Sequence, residues 1–363
     1  MEPILSNEQV LLQESAATFS ERKKAANHFR GHRDNLKKIN KEVWNEIVDA
    51  GWLAIPVPKQ KEGLGLGLTE MSLIAKEFGR GLIPEPFSAV AATAGIADKD
   101  LAKEIISGNL LVLPAIAENK INLGNEPLKV LASNSKNETL LTGKKYNVPY
   151  ADECDGFLVS ALSPSGPVLA YTPKHNLQIA MSPTVDGGSV GQLIFDQTKG
   201  DVVCGPNEAS SSISQLLCQV QLALAAELLG LMQISHEITI EYLKTRQQFE
   251  RPIGSFQALQ HRSVDNLASI ELCKSLVFQA SKTIDSSGGA PGLASATLSL
   301  TLTNSLKVCK ASIQMHGGIG FTDEHDIGLY LKRALTLSTR FGNAGINRNR
   351  YAKEAKIAST SIA

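Results

Sequence analysis

The chain has 363 residues, 43% of them hydrophobic and 20% charged, with 36 Lys+Arg against 36 Asp+Glu. That length can bury two to three domains' worth of core, and zero net charge excludes a long-range pull toward nucleic acid or an anionic membrane. The five cysteines (Cys154, Cys204, Cys218, Cys273, Cys309) are scattered without a CxxC pair, as expected of reduced thiols in a cytoplasmic protein.

In chain order, the opening MEPILSNEQVLLQESAATFSERKK has no basic start leading into an apolar run, so it reads as no signal peptide. Ser6 with Gln9 makes a capping-box pattern, followed by Val10, Leu11, Ala16 and Phe19 at helical spacing. Asn40 is placed to cap a second helix carrying Val43, Trp44, Ile47 and Val48 and stopped by Gly51. Thr69 is placed to cap a third with Met71, Ile74, Ala75 and Phe78, stopped by Gly79. From about Leu111 to Gly205 the pattern changes. TLLTGKKYNV, GFLVSAL, GPVLAYTP and SVGQLIFD read as strands of a small sheet or barrel. Helical spacing then returns over Ser212–Phe249, Gln257–Ser286 and Leu293–Met315, and again from Asp323, with a break near Gly342. The most apolar stretch, Leu216 to Met232, is interrupted by Gln219, Gln221 and Glu227, which suits a buried helix better than a membrane span. The fold class is therefore mostly α with a β insert: a helical domain over 1–113, a β domain over 114–206 and a helical bundle over 207–363.

Several motifs fail. GLGLGL (63–68) has Leu68 where GxGxxG needs glycine, and reads as a turn. His236-Glu237 lacks the second histidine of HExxH and reads as a solvated helix face. Asp323 to Asp326, DEHD, could suggest a metal, but an acidic helix N-terminus explains it more simply, so no metal site is expected.

Two segments survive, TRQQFERPIGSFQALQHR (245–262) and IQMHGGIGFTDEHD (313–326). Each is a helix end beside a proline- or glycine-rich turn, and such ends offer backbone N–H groups to a phosphate. Arg246 adds a permanently charged fork, Phe249 and Phe256 offer flat faces, and Gln257 and Gln314 offer amides. On residue chemistry alone, a nucleotide-diphosphate site and a capped hairpin in a bundle core both fit.

Over nearly its full length the chain resembles the acyl-CoA dehydrogenase family. The resemblance is carried by VWNEIVDAGWLAIPVPKQKEGLGLGLTEMSLIAKEFGRGLIPEP, LTGKKYNVPYADECDGFLVSA, PTVDGGSVGQLIFD, YLKTRQQFERPIGSFQALQHR and QMHGGIGFTDE. It is most similar to the small or second subunits of bacterial heteromeric members, which act on dicarboxylic or steroid side-chain acyl-CoA thioesters. The resemblance implies an N-terminal α domain, a middle β domain and a C-terminal four-helix bundle in a homo- or heterotetramer. It also implies FAD and a separate electron-acceptor flavoprotein. It implies that Arg246, Gln248, Phe249, Phe256, Gln257, Gln314, Gly317 and Gly318 reach across an interface to hold the adenine and pyrophosphate of a homologous subunit's FAD. Glu250 stands where the family usually has glycine.

The family's chemistry needs a carboxylate to remove the α-proton while the flavin accepts the β-hydride. Here the residue at the usual base position is Gly342, and the nearby positions often held by Asp are Asn343 and Gly345. A second family location aligns with Val220, and Glu227 lies two turns further on the same helix face, as a weak candidate. The family's Thr-Glu-Pro stretch appears as IAENKINLG (116–124), its aromatic-Ile-Thr strand is not recognisable, and the Thr and Gln that usually follow the base are Ala344 and Ile346. Three accounts follow: a dehydrogenase with a relocated base, a partner subunit with a silent site of its own, and a flavin monooxygenase of the same fold. The asymmetry between outward-reaching and inward-serving residues favours the second.

Overall fold

The computed structural model describes residues 4–23, 25–34, 39–119, 128–135 and 138–355. Helices α1 (Asn7–Arg22), α2 (Ala25–Asp34), α3 (Lys41–Asp49), α4 (Leu68–Arg80), α5 (Phe87–Ile96) and α6 (Lys99–Ile106) come first. The Ser6/Gln9 capping box opens α1, and Asn40 Oδ1 accepts from the Glu42 and Val43 N–H groups to open α3. Phe19, Trp52, Phe78 and Phe87 form an aromatic cluster between these helices, with neighbouring ring centroids 5.2–5.7 Å apart. Helices α2, α5 and α6 have no counterpart in the sequence reading. The reason for α5 is visible: eight of its residues are buried, so it carries no polar face to set a period.

Two expectations for α4 are corrected. Thr69 does not cap it; Gly67 takes the cap position, and the first amides, which have no partner within the helix, are satisfied from a distance. Leu68 N–H donates to Asp285 Oδ1 at 2.7 Å, Thr69 N–H to Asp285 Oδ2 at 3.0 Å, and the Thr69 hydroxyl to the same oxygen at 2.8 Å. Gly79 does not stop it either, because α4 runs on to Arg80. Gly79 is needed where α4 crosses the next long helix: a Cβ there would lie 2.0 Å from the Glu227 carbonyl oxygen, and one on Gly230 would lie 1.9 Å from that of Lys76.

The strands are β1 (Val112–Ala115), β2 (Leu131–Ser135), β3 (Glu138–Pro149), β4 (Gly156–Ser163), β5 (Gly166–Pro173), β6 (Gln178–Pro183) and β7 (Ser189–Cys204). The order β4-β2-β3-β7-β5 closes on itself through a β4–β5 pairing, so these five form a small barrel, with β1 added beside β4 and β6 beside β7. Closure leaves the ring without free edges. Inside it Lys145 is fully buried, ion-paired to Glu118 and donating to Ser160 Oγ at 2.8 Å.

The bundle follows: α7 (Pro206–Thr245), a short hairpin of β8 (Gln247–Gln248) and β9 (Arg251–Pro252), α8 (Gln257–Ser287), α9 (Pro291–His316), α10 (Ile327–Leu337) and α11 (Ala344–Glu354). Helix α7 begins six residues earlier than its apolar spacing indicated, with Pro206 at the first helical position, and ends before the hairpin. It is long and apolar enough to cross a membrane, but 83% of its most apolar window is buried inside the protein, so it is a core helix. The acidic run leads into a helix, with Asp326 at the N-cap position of α10, but does not form its first turn. Asp323 pairs with Arg33 at 2.8 Å and Asp326 with Arg30 at 2.6 Å, fastening α2 to the bundle, and α10 starts only at Ile327. His236 is half-buried rather than solvated. The expected break near Gly342 separates α10 from α11.

Candidate functional site

The two surviving segments lie side by side. Helix α7 ends where Arg246 turns to an extended conformation, and the hairpin that follows is held by the Ile253 N–H donating to the Arg246 carbonyl at 2.9 Å. Its two-residue loop is Phe249 and Glu250, with φ of 53° and 61°. Such a loop favours glycine and asparagine, so a phenylalanine and a glutamate there store strain. Phe249 is 85% exposed and meets the Phe256 ring edge-on at 6.1 Å. The Arg251 guanidinium lies 4.2 Å over the Phe256 ring. Arg246, Gln248 and Gln257 are exposed, and Phe256 is half-buried. The second segment closes α9. Gln314 is exposed, Gly317 has φ of 66°, and a Cβ on Gly317 or Gly318 would meet nothing within 4 Å. The space over the glycines is open. Tyr242, one turn before Arg246, stacks on His316, next to Gly317, at 4.5 Å, which brings the two segments together. One guanidinium fork, two aromatic faces, several amides and a bare glycine turn form a donor set suited to a dinucleotide's phosphates and a flat base.

The inward-facing positions look different. Gly342 is buried with φ of 89°. Asn347, which is 0% exposed, donates from Nδ2 to the carbonyls of Phe341, Gly342 and Asn343 at 3.2, 2.9 and 3.1 Å. Gln221 Nε2 donates to Asn347 Oδ1 at 2.6 Å, and Ser295 Oγ donates to Gln221 Oε1 at 3.1 Å. These side chains stitch the turn shut. Val220, Leu224, Glu227, Arg333 and Phe341 line a cavity of only about 40 Å³. A second cavity, of about 20 Å³, is bordered by Ile116, Ala117, Asn147, Pro149 and Arg340. Each holds a water or two, whereas a ligand pocket starts at about 300 Å³. Among the described residues, neither of these two cavities beside Phe341 is large enough for an isoalloxazine or a thioester. Residues 120–124 of the IAENKINLG stretch lie outside the described residues.

Glu227 reaches the cavity, but Arg333 Nε and Nη2 both donate to its Oε1, at 3.0 and 2.7 Å. Arg333 also reaches Asp186 Oδ2 at 3.3 Å. Burial pushes the Asp186 carboxyl up, but Arg333 and Arg340 pull it down further, so it stays below the usual range. The roles of Gln221, Asn347 and Arg333 escaped the sequence reading. The signal was partly visible, because Gln221 and Glu227 interrupt the most apolar run and buried polar groups need partners. No cysteine offers a reactive thiol: all five are buried, and burial raises Cys154 to about 12 and Cys218, Cys273 and Cys309 to about 11.

Comparison with known proteins shows the family of the fold. Residues 6–102 match the acyl-CoA dehydrogenase N-terminal domain and residues 212–356 the acyl-CoA dehydrogenase C-terminal domain. The acyl-CoA dehydrogenase IpdE2 of Mycolicibacterium smegmatis is 27% identical over 332 residues, covering 91% of this chain and 93% of the relative. Acyl-CoA dehydrogenase FadE27 of Mycobacterium tuberculosis is 25% identical over 348 residues, covering 89% of this chain and 91% of its own. Among solved structures, a variant of the Tcur3481-Tcur3483 steroid ACAD superposes with a TM-score of 0.85 at 26% identity, covering 97% of this chain and 99% of that one. The ChsE4-ChsE5 complex of Mycobacterium tuberculosis shares the fold, with a TM-score of 0.85 at 24% identity over 99% of this chain and 100% of that one. The chain belongs to the acyl-CoA dehydrogenase family of FAD-dependent oxidoreductases.

Proposed function

We propose that this chain is the non-catalytic subunit of a heteromeric acyl-CoA dehydrogenase. It completes the FAD site of a homologous partner chain, and its own site is silent. The observation that carries this reading is the contrast between the two regions. Arg246, Gln248, Phe249, Gln257, Gln314, Gly317 and Gly318 stand exposed beside open space, while the position of the family's base is a glycine beside a cavity of about 40 Å³. When bound, FAD supplies the acceptor for the β-hydride. The part of this chain is to hold and orient. Arg246 would pair with a phosphate oxygen, Phe249 and Phe256 would flank the adenine, and the Gly317–Gly318 turn would let backbone N–H groups approach the pyrophosphate. Glu227 serves as the counter-ion of Arg333, not as a base.

Two copies of such a chain would own no complete site, so the partner is a different chain that carries both the carboxylate and its own flavin seat. The similarity to a steroid ACAD supports a bulky or polycyclic acyl-CoA thioester as the substrate of the assembly. An electron-transferring flavoprotein would then reoxidise the cofactor. The test is expression of the chain alone and together with a homologue encoded beside it. Flavin absorbance and acyl-CoA-dependent dye reduction should appear only in the pair. Full flavin content with turnover by the chain alone would overturn the reading.

A further inference from the structure

Beneath the two segments lies a cluster of three rings. His316 stacks on Tyr242 at 4.5 Å with 24° between planes and lies 4.6 Å from His325, whose ring is itself 6.2 Å from Tyr242. Each ring belongs to a different element. Tyr242 sits in the last turn of α7, and its carbonyl accepts the Arg246 N–H at 2.8 Å. His316 ends α9 and immediately precedes Gly317. His325 lies in the link to α10, between Asp323 and Asp326, which hold α2 through Arg33 and Arg30.

The hydrogen bonds fix the protonation of both histidines. His316 Nδ1 faces the Ser312 carbonyl at 2.7 Å, and a carbonyl only accepts, so Nδ1 carries the proton and Nε2 is a bare acceptor. That Nε2 is buried and has no partner in the described chain. His325 has the opposite tautomer, because its Nδ1 accepts the Ile327 N–H at 3.1 Å. A second proton on His316 would sit on Nε2 without an acceptor, so the surroundings favour its neutral form.

We propose that His316 is a positioning residue that couples the Arg246 hairpin to the Gln314–Gly318 turn, and that proton uptake by His316 releases both segments together. The charged or titratable groups set against His316 are Tyr242 from α7 and His325 from the link before α10, with Ser312 from its own helix. None is an anion that would stabilise an imidazolium. Burial first, then His325, push the His316 value below its usual 6.5, with the Ser312 carbonyl opposing them. A depressed value means that the contribution is fully present above about 6.5 and is lost as pH falls through the folded-state value. In the assembly, acid would loosen the partner's cofactor without touching any group that contacts it.

The consequence for the cofactor rests on the function proposed above. The coupling itself is read without cofactor, so the two can fail separately. The experiment is hydrogen exchange on the purified chain at pH 7.5 and pH 5.5, expressed as protection factors for segments 246–256 and 314–318. In the wild type both segments should lose protection together in acid, by up to about tenfold, the factor that corresponds to one pH unit of linkage. His316→Phe keeps a stacking ring without a titratable nitrogen and should hold its protection at both pH values. His316→Ala should be unprotected in both segments at both. Should His316→Phe fold poorly, an NMR titration of the wild type decides: His316 should take up its proton below 6.5 as the signals of both segments shift. Unchanged wild-type protection at pH 5.5, loss in only one segment, or an equal acid loss in His316→Phe would overturn the coupling, as would titration of His316 at or above 6.5.

Discussion

Arg333 grips Glu227 with two nitrogens on one carboxylate oxygen, at 3.0 and 2.7 Å, with only 3% of the arginine side chain and 14% of the glutamate side chain exposed. Breaking a buried pair leaves the remaining charge with too few partners. Glu227→Ala should therefore lower the unfolding free energy by about 3–5 kcal/mol, read as a shift in urea midpoint. Dye reduction by the reconstituted assembly should fall only in proportion to the folded fraction. Loss of turnover at unchanged stability in Glu227→Gln would instead mark Glu227 as a base.

Returning a carboxylate to the usual base position should not restore chemistry. Gly342 has φ of 89°, and a Cβ there would lie 3.0 Å from Asn347 Nδ2 and 3.2 Å from Ile346 Cγ2. Gly342→Glu is expected to destabilise the chain by about 1–2 kcal/mol and to bring neither flavin nor turnover to the chain alone. Thermal melting and flavin absorbance check this.

Arg246 is exposed, and within the chain its structural duty is a main-chain carbonyl, so its side chain can be removed without loss of fold. Arg246→Ala in the assembly should leave the melting temperature unchanged. Cofactor retention should fall roughly ten- to hundredfold, the worth of one charge-assisted hydrogen bond of about 1.5–3 kcal/mol. Fluorescence titration of FAD into the apo-assembly measures it.

Glu250→Gly should relieve the strained hairpin loop. A glycine accepts φ of 61° without penalty, so a stabilisation of up to about 1 kcal/mol is expected, seen as a higher melting temperature. Flavin retention should not decrease. A decrease would mean that the carboxylate itself contacts the cofactor.

What could be read from the sequence was local or motif-borne. Ser6 and Asn40 cap helices within three residues of themselves, and their polar-then-apolar spacing announces it. The four strand segments were visible because Gly, Pro, Asn and Asp punctuate them. The Arg246 hairpin and the Gln314–Gly318 turn stood out in the sequence through their proline, glycine and aromatic residues, and the structure sets them side by side. What escaped depends on partners distant in sequence. Gly79 looked like a helix stop because its purpose is the approach of Glu227, far along the chain. Thr69 looked like a cap because Asp285, which does the capping, is more than two hundred residues away. DEHD looked like the first turn of a helix because Arg30 and Arg33 are near it only in the folded state. The fastening of the Phe341–Asn343 turn by Gln221 and Asn347 depends on side-chain geometry that no spacing rule encodes.

The Asp285 carboxylate that receives three donors from the start of α4 also constrains how the chain can be made and cut. Until the ribosome has delivered the end of α8, the opening turn of α4 has no carboxylate to finish it and must borrow water. A protease or an engineer who separates the amino-terminal helices from the rest will therefore obtain a frayed fragment. The first turn of α4 and the end of α8 order together.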